Sequence, residues 1–411
     1  MRVRGRHLLA SAAGVILVAV LTTSTATSFA SSAQAPSPVG PTVACSTVIA
    51  SGPTLGQVET HFASGLLTPF GVAIGSDGKH AFVDSLINPT APQSGSNPMR
   101  DESGISEYSI SSSGGLASER IGPASDGPLL GMAVSPNGRE LVAAGASGAS
   151  VFSVSRIEQA GSAPSSWLVG TFTSHGQGAI EAAVSPDGHY VFVSLEDSDQ
   201  LAVFNLGKAE RSGFGHTDLV GYVPMGVAPV GMTISPDGRY LYATSEAATE
   251  SGTQGTLTTV NLRRAEERPS DSVVSTVWAG CSPVRVVATE SSVYVTARES
   301  DELLEFSAAE LVSLPASALI NRVQVGEAPV GLALVNHNQS LLIADSDRFN
   351  ANGVTSNLAV VAAAGRSLQL VGYVVAGDFP RDMAVSPHGT AVIISDYGSG
   401  DLEEVDAGTL P

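Results

Sequence analysis

Basic residues are scarce in this chain. Its 20 Lys and Arg stand against 39 Asp and Glu over 411 residues, a net charge of −19. A surface this acidic repels phosphate backbones and anionic headgroups, which argues against a nucleic-acid or anionic-lipid partner. Cysteine is scarcer still, with only Cys45 and Cys281. Zinc-ligand spacing, a Gly-x-Ser-x-Gly elbow, a phosphate loop and a dinucleotide fingerprint are all missing, so no familiar catalytic chemistry announces itself. Long apolar runs are missing too, except at the start. There, Leu8 to Leu21 is apolar, but it falls short of the ~20 residues that span a bilayer.

That opening run has the layout of a secretory signal peptide over residues 1–30. Arg2, Arg4 and Arg6 precede it, and small residues lead to a cleavage point after Ala30. An uncleaved anchor is the alternative. Cleavage removes three arginines and no acid, leaving 17 basic against 39 acidic residues. The expectation is a soluble, exported monomer, extracellular or in the cell envelope, with no transmembrane segment in the mature chain. In an oxidising compartment a lone cysteine pair favours a disulfide, with two free thiols the alternative. Cys45 lies in a tail, residues 31–54. The chain from Cys45 to Gln57 is long enough to cross the fold, at ~3.3 Å per residue.

What is abundant is repetition. Gly131-Met-Ala-Val-Ser-Pro-Asn-Gly138 returns as Glu181-Ala-Ala-Val-Ser-Pro-Asp-Gly188, Gly231-Met-Thr-Ile-Ser-Pro-Asp-Gly238 and Asp382-Met-Ala-Val-Ser-Pro-His-Gly389. A worn copy opens at Gly71, and two copies without the turn start at Arg285 and Gly331. Aligned on Gly75, Ser135, Ser185, Ser235, Thr289, Val335 and Ser386, the steps are 60, 50, 50, 54, 46 and 51 residues. A period of this size, rich in β-branched residues, marks an array of small sheets. Each unit holds four strand-like segments. In the fourth these are Gly231–Ile234, Tyr240–Thr244, Gly255–Asn261 and Val273–Ala279. The chain stops after the third strand of the seventh unit, while a spare strand, Gln57 to Phe62, precedes the first. The fold expected over residues 55–411 is therefore all-β: a seven-bladed β-propeller of four-stranded antiparallel blades, its last blade closed by an N-terminal strand.

Pro229 to Ser245 and Val293 to Thr296 resemble the YVTN-type β-propeller repeat. The stretch Ile105 to Leu116, a strand leading into a Gly-x-Leu turn, is similar to the lactonase-type seven-bladed propellers. The resemblance implies a seven-bladed ring, often exported, in families with members that hydrolyse sugar lactones. Blades five and six depart from it by lacking the Ser-Pro-Asp-Gly turn, and no lactonase catalytic motif aligns.

Departures from a repeat are where function is sought. The position opening each inner strand reads Gly71, Gly131, Glu181, Gly231, Arg285, Gly331 and Asp382. Glu181, Arg285, Arg381 and Asp382 are expected to converge at the mouth of the central channel, with His175 beside them. Such a group suits an acidic sugar or a lactone carbonyl; ion pairs that merely tie the blades together are the alternative. A second set lies after the second strands: Asp84, Glu196, Asp197, Asp199, Glu246, Glu299, Asp345, Asp347 and Asp396. No Ca²⁺ loop motif accompanies them, so a solvated acidic rim is expected, with Ca²⁺ left open and no cofactor required. Arg156, Lys208, Arg211, Arg263, Arg264 and Arg268 fall on the opposite face. His80, His189, His337 and His388 read as turn residues there. The loop Asn88 to Gly104 reads as a lid or a plain insertion. Two functions follow. One is a binding or interaction module for a small molecule or a cell-envelope partner. The other is a lactonase-like hydrolase of a sugar lactone or related cyclic ester.

Overall fold

The computed structural model describes residues 35–45, 48–66, 68–88, 102–111, 115–125, 128–215, 218–347, 356–363 and 367–411. The leader and most of the Asn88–Gly104 loop lie outside the described residues. Seven four-stranded antiparallel sheets are formed. In blade four the strands are Val227–Ile234, Tyr240–Ala247, Gln254–Asn261 and Val273–Cys281. Blade seven joins Pro380–Val385, Ala391–Asp396 and Asp401–Asp406 to the N-terminal strand Thr60–Ser64, in register from Thr60↔Val405 to Ser64↔Asp401. Closure is thus as the spare strand suggested. The strand begins three residues later than expected because the chain first turns at Leu55–Val58, where the Val58 N–H donates to the Leu55 carbonyl.

Why the second strands read as unbroken apolar runs is now clear. Leu141, Val142, Ala143 and Ala144 are all fully buried. Successive side chains face opposite ways, so each blade fills two cores. Leu141 and Ala143 pack toward blade one, Val142 and Ala144 toward blade three. One apolar cluster fills each of the seven junctions, including that between blades seven and one, where Ile393 and Leu402 meet Val72 and Val83.

The recurring turn is held by its own side chains. The Ser235 hydroxyl accepts from the Tyr240 N–H (3.0 Å) and donates to Asp237 (2.7 Å), whose carboxylate accepts from the Arg239 N–H (3.0 Å). Gly238 closes the turn at φ 70, a left-handed conformation that suits glycine. Blade six, lacking this phrase, turns through Asn336, His337 and Asn338, all left-handed. Asn tolerates that region best. Short helices follow the third strands, such as Val154–Glu158, Leu206–Ser212 and Leu262–Glu267. They carry Arg156, Lys208, Arg211, Arg263 and Arg264.

A hydroxyl near the end of the second strand clasps one blade to the next. Thr244 accepts from the Gly231 N–H (3.1 Å) and donates to the Val284 carbonyl of blade five (2.7 Å). Ser194 links blade three to Val230, Thr296 links blade five to Val330, and Ser395 links blade seven to Phe70 of blade one. The tail is a strap around the ring. Val39 bridges Val277, Cys45 is disulfide-bonded to Cys281, Ala50 donates to Val325, and Leu55 to Tyr373. It thus touches blades four, five and six before entering blade seven.

Two outcomes follow. Thr244→Val keeps the shape but strands a buried N–H and carbonyl. It should cost about 1–3 kcal/mol, read as a lower denaturant midpoint; an unmoved midpoint would show the clasp to be idle. Cys281→Ser should lose about 2–4 kcal/mol and make residues 36–58 protease-sensitive. Equal stability and equal protection would show that the strap holds without its bond.

Candidate functional site

Glu181, Arg285 and Asp382 do converge. Arg285 Nη2 lies 3.4 Å from Glu181 Oε2 and its Nε 3.3 Å from Asp382 Oδ1. These side chains belong to blades three, five and seven, none of which are neighbours, so the guanidinium bridges across the channel. All three are 11–13% exposed. Asp382 Oδ2 also accepts from the Val72 N–H of blade one (3.1 Å). Glu181 leans over Gly131, where a Cβ would fall 2.6 Å from its carboxyl carbon. The glycine of blade two therefore makes room for the acid of blade three. Burial pushes the Glu181 carboxyl up to about 8, against the pull of Arg285, and Asp382 adds to the rise. The Glu181 carboxyl therefore holds its proton to higher pH than a solvated one would. Val230, Val284 and Val330, with Ile180, pack into one cluster drawn from four blades, which only the axis permits. A polar brace and an apolar collar thus lie at the axis.

Arg381 takes no part in the ion pairs that Arg285 makes. Residues 381 and 382 lie at a bulge between Pro380 and Asp382 and point apart. Arg381 instead lies over the Phe70 ring at 3.5 Å, with Tyr397 at 5.6 Å and Phe379 at 5.7 Å from the guanidinium carbon. This is close cation–π geometry. His175 stands exposed on its loop, its N–H bonded to the Tyr222 hydroxyl (2.9 Å), and it takes no part in the triad's ion pairs. On the same face, Arg298 pairs with Glu246 at 2.9 Å. Glu196 is pushed up to about 7 by burial and by Glu246 and Asp197, with Arg298 and Arg381 opposing. The charge of Arg381 is thus felt in blade three as well as at Asp84 in blade one.

One backbone feature escaped sequence reading. Three residues before the inner position, the chain takes a left-handed φ: Thr68 at 48, Gly178 at 73, Ala228 at 55, Ser282 at 49, Ala328 at 52 and Phe379 at 54. Five of these are small. Blade seven places a bulky aromatic there, at a cost of about 1–3 kcal/mol, and strain of this kind gathers at functional sites.

The acids of the second-strand loops are not a uniformly solvated rim. Asp84, Asp345 and Asp396 are 2%, 1% and 0% exposed. Asp345 and Asp396 end second strands and Asp84 lies within one; Asp84 accepts from the Gly71 N–H. Asp197 is exposed as expected. Among the described residues, no three of these loop acids bring ligand atoms close enough to share an ion. A cleft of about 390 Å³ lies elsewhere, between blades two and three, beside Arg139, Arg156, Glu210 and Phe214. Burial, then repulsion from Glu403, Asp401 and Asp378, pushes Asp396 up to about 9. Burial likewise pushes Glu403 up to about 8. A carboxyl whose folded pKa is raised keeps extra protons in the native state. Its stabilising contribution is complete below the unfolded value near ~4 and is lost as pH rises through the folded one. The melting temperature should therefore fall between pH 5 and pH 9, and Asp396→Asn with Glu403→Gln should flatten that slope. A slope of the opposite sign, or one untouched by the pair, would overturn this reading.

The family described as Lactonase, 7-bladed beta-propeller matches residues 94–357, more than half of the chain. No curated protein matches. Solved structures that resemble it include a chain of the mitotic checkpoint complex, at 12% identity and TM-score 0.61, covering 94% of this chain and 99% of that one. The Kuenenia stuttgartiensis hydrazine synthase aligns at 14% identity and TM-score 0.60, covering 84% and 97%. The β-propeller domain of Cps50 (Swd1) from Myceliophteria thermophila aligns at 12% and 0.59, covering 84% and 99%. At such identities these neighbours speak for the fold alone. With its seven blades, its closed ring and the match over blades one to six, the chain belongs to the lactonase family of seven-bladed β-propellers.

Proposed function

We propose that the protein is an exported binding module that holds a small sugar acid or its lactone at the channel mouth. The observation that carries this is Phe379, held left-handed where other blades use small residues, beside Phe70, Tyr397 and Arg381. Aromatic rings suit the apolar faces of a sugar, and a guanidinium suits a carboxylate. Glu196, Glu246 and Arg298 supply partners for hydroxyl groups on the far side of the mouth. The braced triad forms a floor rather than a reacting centre, since Arg285 is already engaged by Glu181 and Asp382. Export is supported by the leader-like first 30 residues and by the disulfide. Among the described residues, no helix is long and apolar enough to cross a membrane.

The family match favours a second reading, hydrolysis of a sugar lactone. Glu181 would then serve as general acid or base and Arg285 would polarise the carbonyl. One set of measurements separates the two. Aldonic acids and their lactones are titrated into the purified chain by calorimetry, and acid release is followed on the lactones. Binding without turnover, weakened at least ~10-fold by Arg381→Ala, supports the module; that corresponds to about 1.4 kcal/mol. Turnover abolished by Glu181→Gln or Arg285→Ala in a folded variant supports the hydrolase. Neither binding nor turnover across the panel would sink both.

A further inference from the structure

The tight turn of blade one meets the helix Val154–Glu158 of blade two on the face away from the channel mouth. Three ligand-type atoms gather there: Asp77 Oδ2, His80 Nδ1 and Glu158 Oε1, all within 4.8 Å of one another. His80 Nδ1 lies 3.0 Å from Asp77 and 3.4 Å from Glu158. A metal ion ~2.1 Å from tetrahedral N and O ligands sets them about 3.4 Å apart. The His80–Glu158 separation matches an edge of such a shell, and the shorter His80–Asp77 one, a hydrogen bond without the ion, needs only a slight opening to do so. The geometry points to a divalent transition-metal site clasping blades one and two, with Asp77, His80 and Glu158 as its three protein ligands.

The surroundings are built for this. Asp77 uses Oδ1 to accept from the Lys79 N–H (2.9 Å), which fixes the turn and leaves Oδ2 for the ion. The other imidazole nitrogen, Nε2, faces Glu107 Oε1 at 4.0 Å, and Glu107 is 1% exposed. A metal-bound histidine commonly turns its second N–H to a buried carboxylate, which sets the tautomer. Glu107 is itself anchored by Arg120 at 2.6 Å. The same Arg120 nitrogen donates to the Ile157 carbonyl (2.7 Å), which fixes the helix end that carries Glu158. Two carboxylates repel across the imidazole, and a cation between them removes that cost. Asp77, His80 and Glu158 are 43%, 27% and 32% exposed, so water can fill the fourth position. One imidazole and two carboxylates favour an ion of the zinc class over Ca²⁺ or Mg²⁺, which take oxygen shells.

The test uses the chelator-stripped chain, ZnCl₂ in a calorimeter and CoCl₂ as a visible-absorbing probe. One equivalent should bind, raise the melting temperature, and survive equimolar Ca²⁺. His80→Ala should weaken binding at least ~100-fold, and Glu158→Gln about 10-fold, while both variants melt like the parent in chelator. Asp77→Asn keeps the turn acceptor and should also lose affinity. No saturable binding, equal competition by Ca²⁺, or affinity unchanged in His80→Ala overturns the assignment. None of these readouts depends on the ligand at the mouth.

Discussion

The pairing of Thr60–Ser64 with Asp401–Asp406 is the constraint on which everything else rests. Each blade is apolar on both faces and has no stable surface of its own. A linear stack of seven would leave two such faces in water. Closing the circle turns the two ends into the seventh junction, where Ile393 and Leu402 meet Val72 and Val83. The crossing of Arg285 to Glu181 and Asp382 exists only because that circle brings blades three, five and seven around one axis. The strap from Val39 to Leu55 ties blades four, five and six together from outside.

Much of this could be read from residues alone, and the reason is periodicity. Ser-Pro-Asp-Gly encodes a turn whose hydroxyl, carboxylate and glycine each have a local partner, so it recurs wherever the turn does. The charged inner positions stood out because glycine was the rule there. Other features were hidden because their causes are not local. Arg381 follows a bulge, which sends it to the rings of Phe70, Phe379 and Tyr397 instead of to Asp382. His80 looked like a turn residue because its partner Glu158 comes from another blade. Asp84, Asp345 and Asp396 looked solvated because loop acids usually are, yet strand direction carries them inward. The left-handed residue before six of the inner strands leaves no signature, since Gly, Ala, Ser, Thr and Phe all occupy it.

The mouth and the channel thus divide their roles by charge. At the axis, Arg285 meets two carboxyls, and the raised Glu181 lessens the charge that must be buried there. Arg381 lies against ring faces, and its charge acts on Asp84 and Glu196.

The closing strand has a temporal side as well. Thr60–Ser64 is synthesised long before Asp401–Asp406, its partner. Until the C-terminal residues emerge, blade seven cannot form and the first segment has an unpaired backbone. Contacts so distant along the chain make for slow folding. The ring therefore cannot complete itself until Asp401–Asp406 has been made, so a strand made early waits for a partner made far later.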